Sequence, residues 1–204
     1  MPTRRHLIGG LAVLLSVPSR PGAAEDDALA QAAQFIRDSG NRLAALAHDN
    51  PTAEEKQRRL QAFLDDVVDV DGVARFCLGR FWRSATPAQQ QDYLRLFRQV
   101  LANSVAARVN DYPQGQMQVT ISPPLRNGSA IEVPTVVARG AGGTPARVTW
   151  ILGTDTGRLR IIDIVAEGMS LRLTQRSDYT AFLGRNDNDL PALLRALRQQ
   201  LGPG

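Results

Sequence analysis

Around residue 111 the spacing of apolar side chains changes period, and that change sets the class of fold. Upstream, apolar residues recur every three to four positions, as one face of a helix requires. They run through Leu29, Ala32, Ala33, Ile36, Leu43 and Leu46, then Leu60, Phe63, Leu64 and Val67, then Tyr93, Phe97, Val100, Leu101, Val105 and Val109. Beyond the breaker-rich DYPQGQ the period is two, and MQVTIS, SAIEVPTVVAR, ARVTWILG and GRLRIIDIVAEG predict four strands. PPLRNG, GAGGTP and TDTG separate them, and such short links favour antiparallel pairing with one face packed inward. After Gly168 come an amphipathic segment, SLRLTQRSDYTAFLGRN, and a last helix, DLPALLRALRQQL. Helices, a meander, then helices again describe an α+β domain: a curved antiparallel sheet of about four strands wrapped by N- and C-terminal helices. Such a layout can enclose a cleft between sheet and helices.

Start and stop signals sharpen the helices. HDNPT breaks the first one, and Thr52 with Glu55 has the spacing of a capping box. Thr86, Pro87 and Gln89 form another start, with Gln90, Gln91, Arg95, Arg98 and Asn103 on the wet side of the helix that follows. In DDVVDVDG, Asp69 and Asp71 have the look of a calcium loop, but the later ligands and the closing glutamate are missing; helix capping is the better reading. A short helix through Val73, Phe76 and Cys77 is expected to end near Gly79.

Residues 1–24 have a basic start, a short apolar run from Leu7 to Val17, and the small residues Gly22, Ala23 and Ala24. That is the layout of a cleavable export signal, by the twin-arginine or the general secretory route. It leaves residues 25–204 as a single domain. The signal carries Arg4, Arg5 and Arg20 and no acid, so 21 basic residues then face 20 acidic ones. This near balance removes the clustered positive charge that nucleic-acid binding needs. No later stretch is long and apolar enough to span a bilayer.

Reactive side chains are scarce. His48 is the single histidine after the signal and Cys77 the single cysteine, so neither a zinc cluster nor a Ser-His or Cys-His pairing is expected. Cys77 lies among apolar residues and reads as a buried thiol. The GAGGT loop lacks the Lys-Ser/Thr of a phosphate cradle and reads as a hairpin turn. Asp163 and Glu167, which bracket an inward-looking Val165, are the candidates for acid–base chemistry; anchoring the sheet end by hydrogen bonds is the plainer role.

Two stretches carry a family resemblance. In LGRFWRSATPAQQQDYLRLFRQVL, Leu78, Gly79, Phe81, Trp82, Arg83, Thr86, Pro87 and Gln89 match one signature. In IIDIVAEGMSLRLTQRSDYTAFL, Asp163, Ile164, Val165, Glu167, Gly168, Met169, Ser170 and Arg176 match the second. Over roughly residues 28–200 the chain resembles the MlaC family, periplasmic phospholipid carriers also called toluene-tolerance auxiliary proteins. The resemblance implies a nuclear-transport-factor-like α+β cone with an apolar cavity, and a non-enzymatic role without cofactor or metal. It implies a monomer that shuttles phospholipid between an outer-membrane lipoprotein–porin complex and an inner-membrane ABC transporter with its substrate-binding subunit. That traffic maintains outer-membrane lipid asymmetry. One family branch is associated with hopanoids, so hopanoid or another apolar cargo stands as an alternative, as does an enzyme on the same fold using Asp163 and Glu167.

A two-chain lipid has about 30 methylenes, each contributing about 0.8 kcal/mol on leaving water, so a carrier needs a long dry pocket near or above ~1,000 Å³. Expected wall residues on the helices are Phe76, Phe81, Trp82, Tyr93, Phe97, Leu101 and Val105. On the strands and beyond they are Val119, Ile121, Val133, Val148, Trp150, Leu152, Ile164, Val165 and Met169. Arg80, Arg83 and Arg172 are candidates to meet a phosphate headgroup at the rim.

Overall fold

A computed structural model describes residues 21–48, 52–110, 117–139, 144–154 and 157–202. Five helices come first: α1 (Pro21–His48), α2 (Ala53–Val67), α3 (Val70–Leu78), α4 (Arg80–Ser84) and α5 (Pro87–Asn110). The sheet follows as β1 (Met117–Ile121), β2 (Leu125–Asn127), β3 (Ala130–Arg139), β4 (Ala146–Gly153), β5 (Arg160–Ala166) and β6 (Met169–Ser170). Then α6 (Leu171–Gly184) and α7 (Leu190–Leu201) close the described chain. The class is the expected α+β, with six strands rather than four. The turn expected at PPLRNG contains β2, and the Glu-Gly step after β5 carries a hairpin to the two-residue β6. Glu167 and Gly168 both have positive φ, 48° and 83°, the backbone a two-residue hairpin needs and one that glycine adopts freely.

Helix starts follow their side chains. Thr86 and Gln89 make both halves of a capping box: Gln89 N–H donates to Thr86 Oγ1 at 3.3 Å, and Thr86 N–H donates to Gln89 Oε1 at 2.9 Å. Thr52 caps α2 through Glu55 N–H, but the Glu55 carboxylate turns to Arg58 and Arg59 instead of closing the box. Asp69 caps α3 by accepting from Gly72 N–H at 3.1 Å, the structural role weighed above against a calcium loop. Among the described residues no group of acidic, His and Cys side chains is placed to hold a metal. Gln90 departs from its expected wet position: its amide donates to the Trp82 and Ala85 carbonyls and ties α5 to the end of α4.

All strand pairs are antiparallel in the order β1-β3-β4-β5-β6, with β2 beside β3. Alternation and register assign the faces. Ile131, Val133, Thr135 and Val137 share one face with their partners Leu152, Trp150, Val148 and Ala146, and with Ile121 and Val119 of β1. This inner face packs on α1, α2 and the second half of α5. Strict alternation on β5 would put Asp163 and Val165 beside Ile161. Instead Ile162 is an extra residue, because Leu152 pairs with Ile161 and Ile151 with Asp163. This bulge reverses the phase, so Ile161 and Ile164 point inward while Asp163 and Val165 point outward. Gly153 makes room for it: a Cβ there would stand 3.0 Å from Ile162.

The apolar interior falls into two clusters. One lies between the sheet and α1, α2 and α5; the other is helical, formed by α3 to α7 around Tyr93, Leu96, Leu183 and Leu194. In the second, Tyr93 Oη donates to the Ala74 carbonyl at 2.9 Å, and its ring meets Phe97 and Tyr179. Burial raises the Tyr93 and Tyr179 phenols well above their ordinary value of 10.0 and pushes the Cys77 thiol up to about 12. A raised acid stays neutral in the fold while the unfolded chain releases its proton, so stability is full below pH 9 and is lost as pH rises toward 12. The expected outcome is a melting temperature that is flat from pH 7 to about pH 8.5 and falls steadily above pH 9; a flat profile to pH 11 would refute the buried-acid arrangement.

Candidate functional site

The inner face of the sheet changes character along its length. At one end Ile131, Val133, Leu152 and Ile161 are fully covered by α1 and α2. At the other, Ile121, Trp150, Ile164, Leu101 and Val105 are half-buried against that core, joined by Val137 and Val148. Val119 and Met169 mark the two edges of this open end and are 48% and 66% exposed. Met169 pairs with Ala166, itself opposite Val148, so register puts it on the inner face at the β6 edge. The result is an apolar strip bordered by β1, β6 and the C-terminal half of α5.

One polar latch crosses its floor. Trp150 Nε1 donates to Thr135 Oγ1 at 3.1 Å, and Thr135 Oγ1 donates to the Val148 carbonyl at 2.8 Å. Thr135 is buried, and this chain satisfies it and fixes the indole across the sheet. Thr135, Val137, Leu43 and Leu46 were absent from the expected wall. The signal was available: Thr135 and Val137 continue the alternation of Val133, and the two leucines form the thin stripe of α1.

The expected wall divides between three places. Leu101, Val105, Val119, Ile121, Val148, Trp150, Ile164 and Met169 come together on or around the strip, while Val133 and Leu152 lie in the covered part of the same face. Phe76, Phe81, Trp82, Tyr93 and Phe97 pack in the helical cluster, where α6 and α7 take the place that cargo would have. Val165 is corrected to the outer face by the bulge at Ile162. Two depressions stand out among the described residues: about 190 Å³ between α2, α3 and α5, and about 390 Å³ between α6 and α7. Neither includes a residue of the sheet.

The expected headgroup arginines do not converge on the strip. Arg80 and Arg83 are exposed on α4, Arg80 stacking on Phe81 and reaching Asn188. Arg172 is bound to Asp163 beyond the outer face. Asp163 accepts from Ser170 Oγ at 2.6 Å, Ile164 N–H at 2.8 Å and Arg172 N–H at 3.1 Å. Arg172 Nε lies 3.3 Å from the same carboxylate, an ion pair in distance but not aligned to donate. Cys77 Sγ sits 3.6 Å from the Arg172 carbonyl, so this knot ties α3, β5, β6 and the start of α6 together. Glu167 is committed elsewhere, accepting from Arg147 N–H at 2.5 Å and pairing with its guanidinium at 3.6 Å. The two carboxylates therefore serve separate structural roles rather than facing a common space.

Fold and strip together define an α+β protein whose open antiparallel sheet is covered by helices on one face. Residues 39–199 match the MlaC protein family, and the chain belongs to it. The fold is similar to that of the phospholipid-binding protein from Ralstonia solanacearum, solved in complex with a phospholipid. The two share 17% identity with a TM-score of 0.67, over 82% of this chain and 95% of that one. The Asp163 knot gives a direct test. Asp163→Ala leaves three donors and a half-buried guanidinium without their acceptor, so it is expected to cost about 3 kcal/mol in urea unfolding. Glu167→Gln, at the surface, is expected to stay within about 0.5 kcal/mol; equal costs would remove the distinction between the two carboxylates.

Proposed function

We propose that this protein is a periplasmic carrier that holds phospholipid acyl chains non-covalently against the inner face of its sheet. The supporting observation is the half-buried apolar strip, which leaves Ile121, Val148, Trp150 and Ile164 incompletely covered in an otherwise tightly packed interior. Incomplete cover is unfavourable for the empty protein, and acyl methylenes on that surface would recover about 0.8 kcal/mol each. Family membership and a neighbour that binds phospholipid support the same reading. Among the described residues no helix is long and apolar enough to cross a membrane, which fits a shuttle rather than a resident span.

In this reading residues 1–24 are removed on export and residues 25–204 form a single lipid-binding domain that acts as a monomer. The wall is Leu101, Val105, Ile121, Val148, Trp150 and Ile164, with Leu43 and Leu46 as the lid side and Val119 and Met169 at the mouth. Loading moves α1 and the end of α5 away from the sheet, so that two acyl chains find room between them. The carrier takes lipid between an outer-membrane lipoprotein–porin complex and an inner-membrane ABC transporter with its substrate-binding subunit, and so maintains lipid asymmetry. No bond is made or broken, since transfer needs one apolar environment exchanged for another.

Native mass spectrometry of the purified protein should show a co-purifying lipid, expected to be glycerophospholipid. Val148→Glu and Val105→Arg are each expected to lower occupancy at least tenfold while circular dichroism and melting stay close to the parent. A parent protein that is reproducibly empty, or variants loaded as fully as the parent, would overturn the reading.

A further inference from the structure

Among the described residues, one surface gathers four arginines that have no carboxylate partner. Arg42, Arg58, Arg59, Arg95, Arg98, Arg126, Arg147, Arg158, Arg172, Arg195 and Arg198 each have a carboxylate partner. Arg75, Arg80, Arg83 and Arg176 have none among the described residues. They are neighbours, because α3 packs against α6 and the Arg176 guanidinium lies against Gly79, 3.3 Å from where a Cβ would stand. Along the sequence no acid occurs between Asp71 and Asp92 or between Glu167 and Asp178; the acids near this surface are Asp187 and Asp189, which flank the Asn188 that Arg80 reaches, and Asp189 pairs with Arg195. The other described arginines without a carboxylate are Arg37 on α1, Arg108 on α5, Arg160 on β5, which donates to the Asp65 and Val68 carbonyls, and Arg185 just after α6.

The same surface is aromatic and apolar. Arg75 stacks on Trp82, Arg80 on Phe81, and Arg172 and Arg176 both on Phe76. Beside them Met169, Leu171 and Leu173 are 66%, 48% and 56% exposed, three large apolar side chains within five residues. Such a concentration marks an interaction site rather than ordinary surface. Leucine and methionine beside unneutralised arginines, with a tryptophan at the border, suit the headgroup zone of a bilayer: the apolar groups enter shallowly and the guanidiniums meet phosphate.

We infer that the α3–α4–α6 surface docks directly on an anionic phospholipid bilayer. Arg75, Arg80, Arg83 and Arg176 supply attraction, and Met169, Leu171 and Leu173 supply insertion. Docking there brings the β6 edge of the sheet, and with it the Met169 end of the apolar strip, to the membrane surface. The inference goes beyond carriage of a bound lipid, because it concerns the α3–α4–α6 surface, which shares only Met169 with the mouth of the strip, and is measurable whether or not the strip is loaded.

The test is flotation with vesicles of 30% phosphatidylglycerol in phosphatidylcholine, against pure phosphatidylcholine, at 50 and 500 mM salt. Binding is expected to the anionic vesicles only and to weaken at least tenfold at high salt. Each arginine near an anionic surface is worth about fivefold in affinity, so Arg80→Glu with Arg83→Glu should lose at least tenfold. Leu171→Ser with Leu173→Ser, which leaves the charge of the patch unchanged, should lose as much. Arg37→Glu with Arg58→Glu, the same charge change away from the patch, should lose less than threefold. Absence of vesicle binding, as a protein-docking surface would give, overturns the inference, as does equal loss in the Arg37/Arg58 control. Lipid co-purification is read separately, so a loaded protein that ignores vesicles defeats this inference and leaves the carrier reading standing.

Discussion

One buried carboxylate holds the two halves of this protein in their relation. Asp163 leaves the sheet on the outer side of β5 and gathers Ser170 Oγ, two backbone N–H groups and the Arg172 side chain. Its donors come from β5, β6 and the first turn of α6, while Arg172 lies over Phe76 of α3. The helical cluster is thereby fastened to the sheet at its β5–β6 edge. A second tie works at the other end of β5, where Val68 bridges to Ile161 and Arg160 donates to the Asp65 and Val68 carbonyls at the end of α2. With both ends of β5 held, the sheet meets two apolar cores, and only one of them touches its inner face.

Much of this was legible because periodicity reports burial directly. The change of period after α5, the Thr86 capping box and the end of α3 near Gly79 needed only local spacing, which sequence carries. The assignment of walls needed more. The aromatics of α3 to α5 fall at the right spacing for a buried face, yet spacing does not say what covers that face. Tyr93 meets Tyr179 of α6, about 85 residues away, and no local pattern reveals that partner. Val165 was hidden for a different reason. A single extra residue at Ile162 reverses inside and outside beyond it, and a bulge leaves only a faint mark in sequence, here the small Gly153 across from it.

The two cores divide the tasks of stability and adaptability. In the helical cluster Tyr93, Leu96 and Leu183 are essentially solvent-free and the Tyr93 hydroxyl is satisfied, so little room remains for rearrangement. The sheet core grades from full cover at Leu152 to half cover at Trp150 and Ile164. A gradient of this kind permits one end of an interface to open while the other acts as a hinge. The Trp150–Thr135–Val148 chain of hydrogen bonds lies where full cover gives way to half cover, and it keeps the floor in place if the helices above it move.

Charge follows the same division of labour. Ion pairs on α1, α2, α5 and α7 neutralise Arg42, Arg58, Arg59, Arg95, Arg98, Arg195 and Arg198 within their own neighbourhoods, so the local field is strongest where several unpaired arginines gather. Pairing stops around the Asp163 knot. Its carboxylate is enclosed and spoken for, so it neutralises Arg172 but offers nothing to Arg176, Arg75, Arg80 or Arg83 beyond it. A positive outer rim around a closed ion pair arises from ordinary folding requirements: the fold needs the acid inside and helix α6 needs its start there. Met169 at the open end of the strip and Arg172 and Arg176 of α6 lie within eight residues of one another, because β6 leads directly into α6.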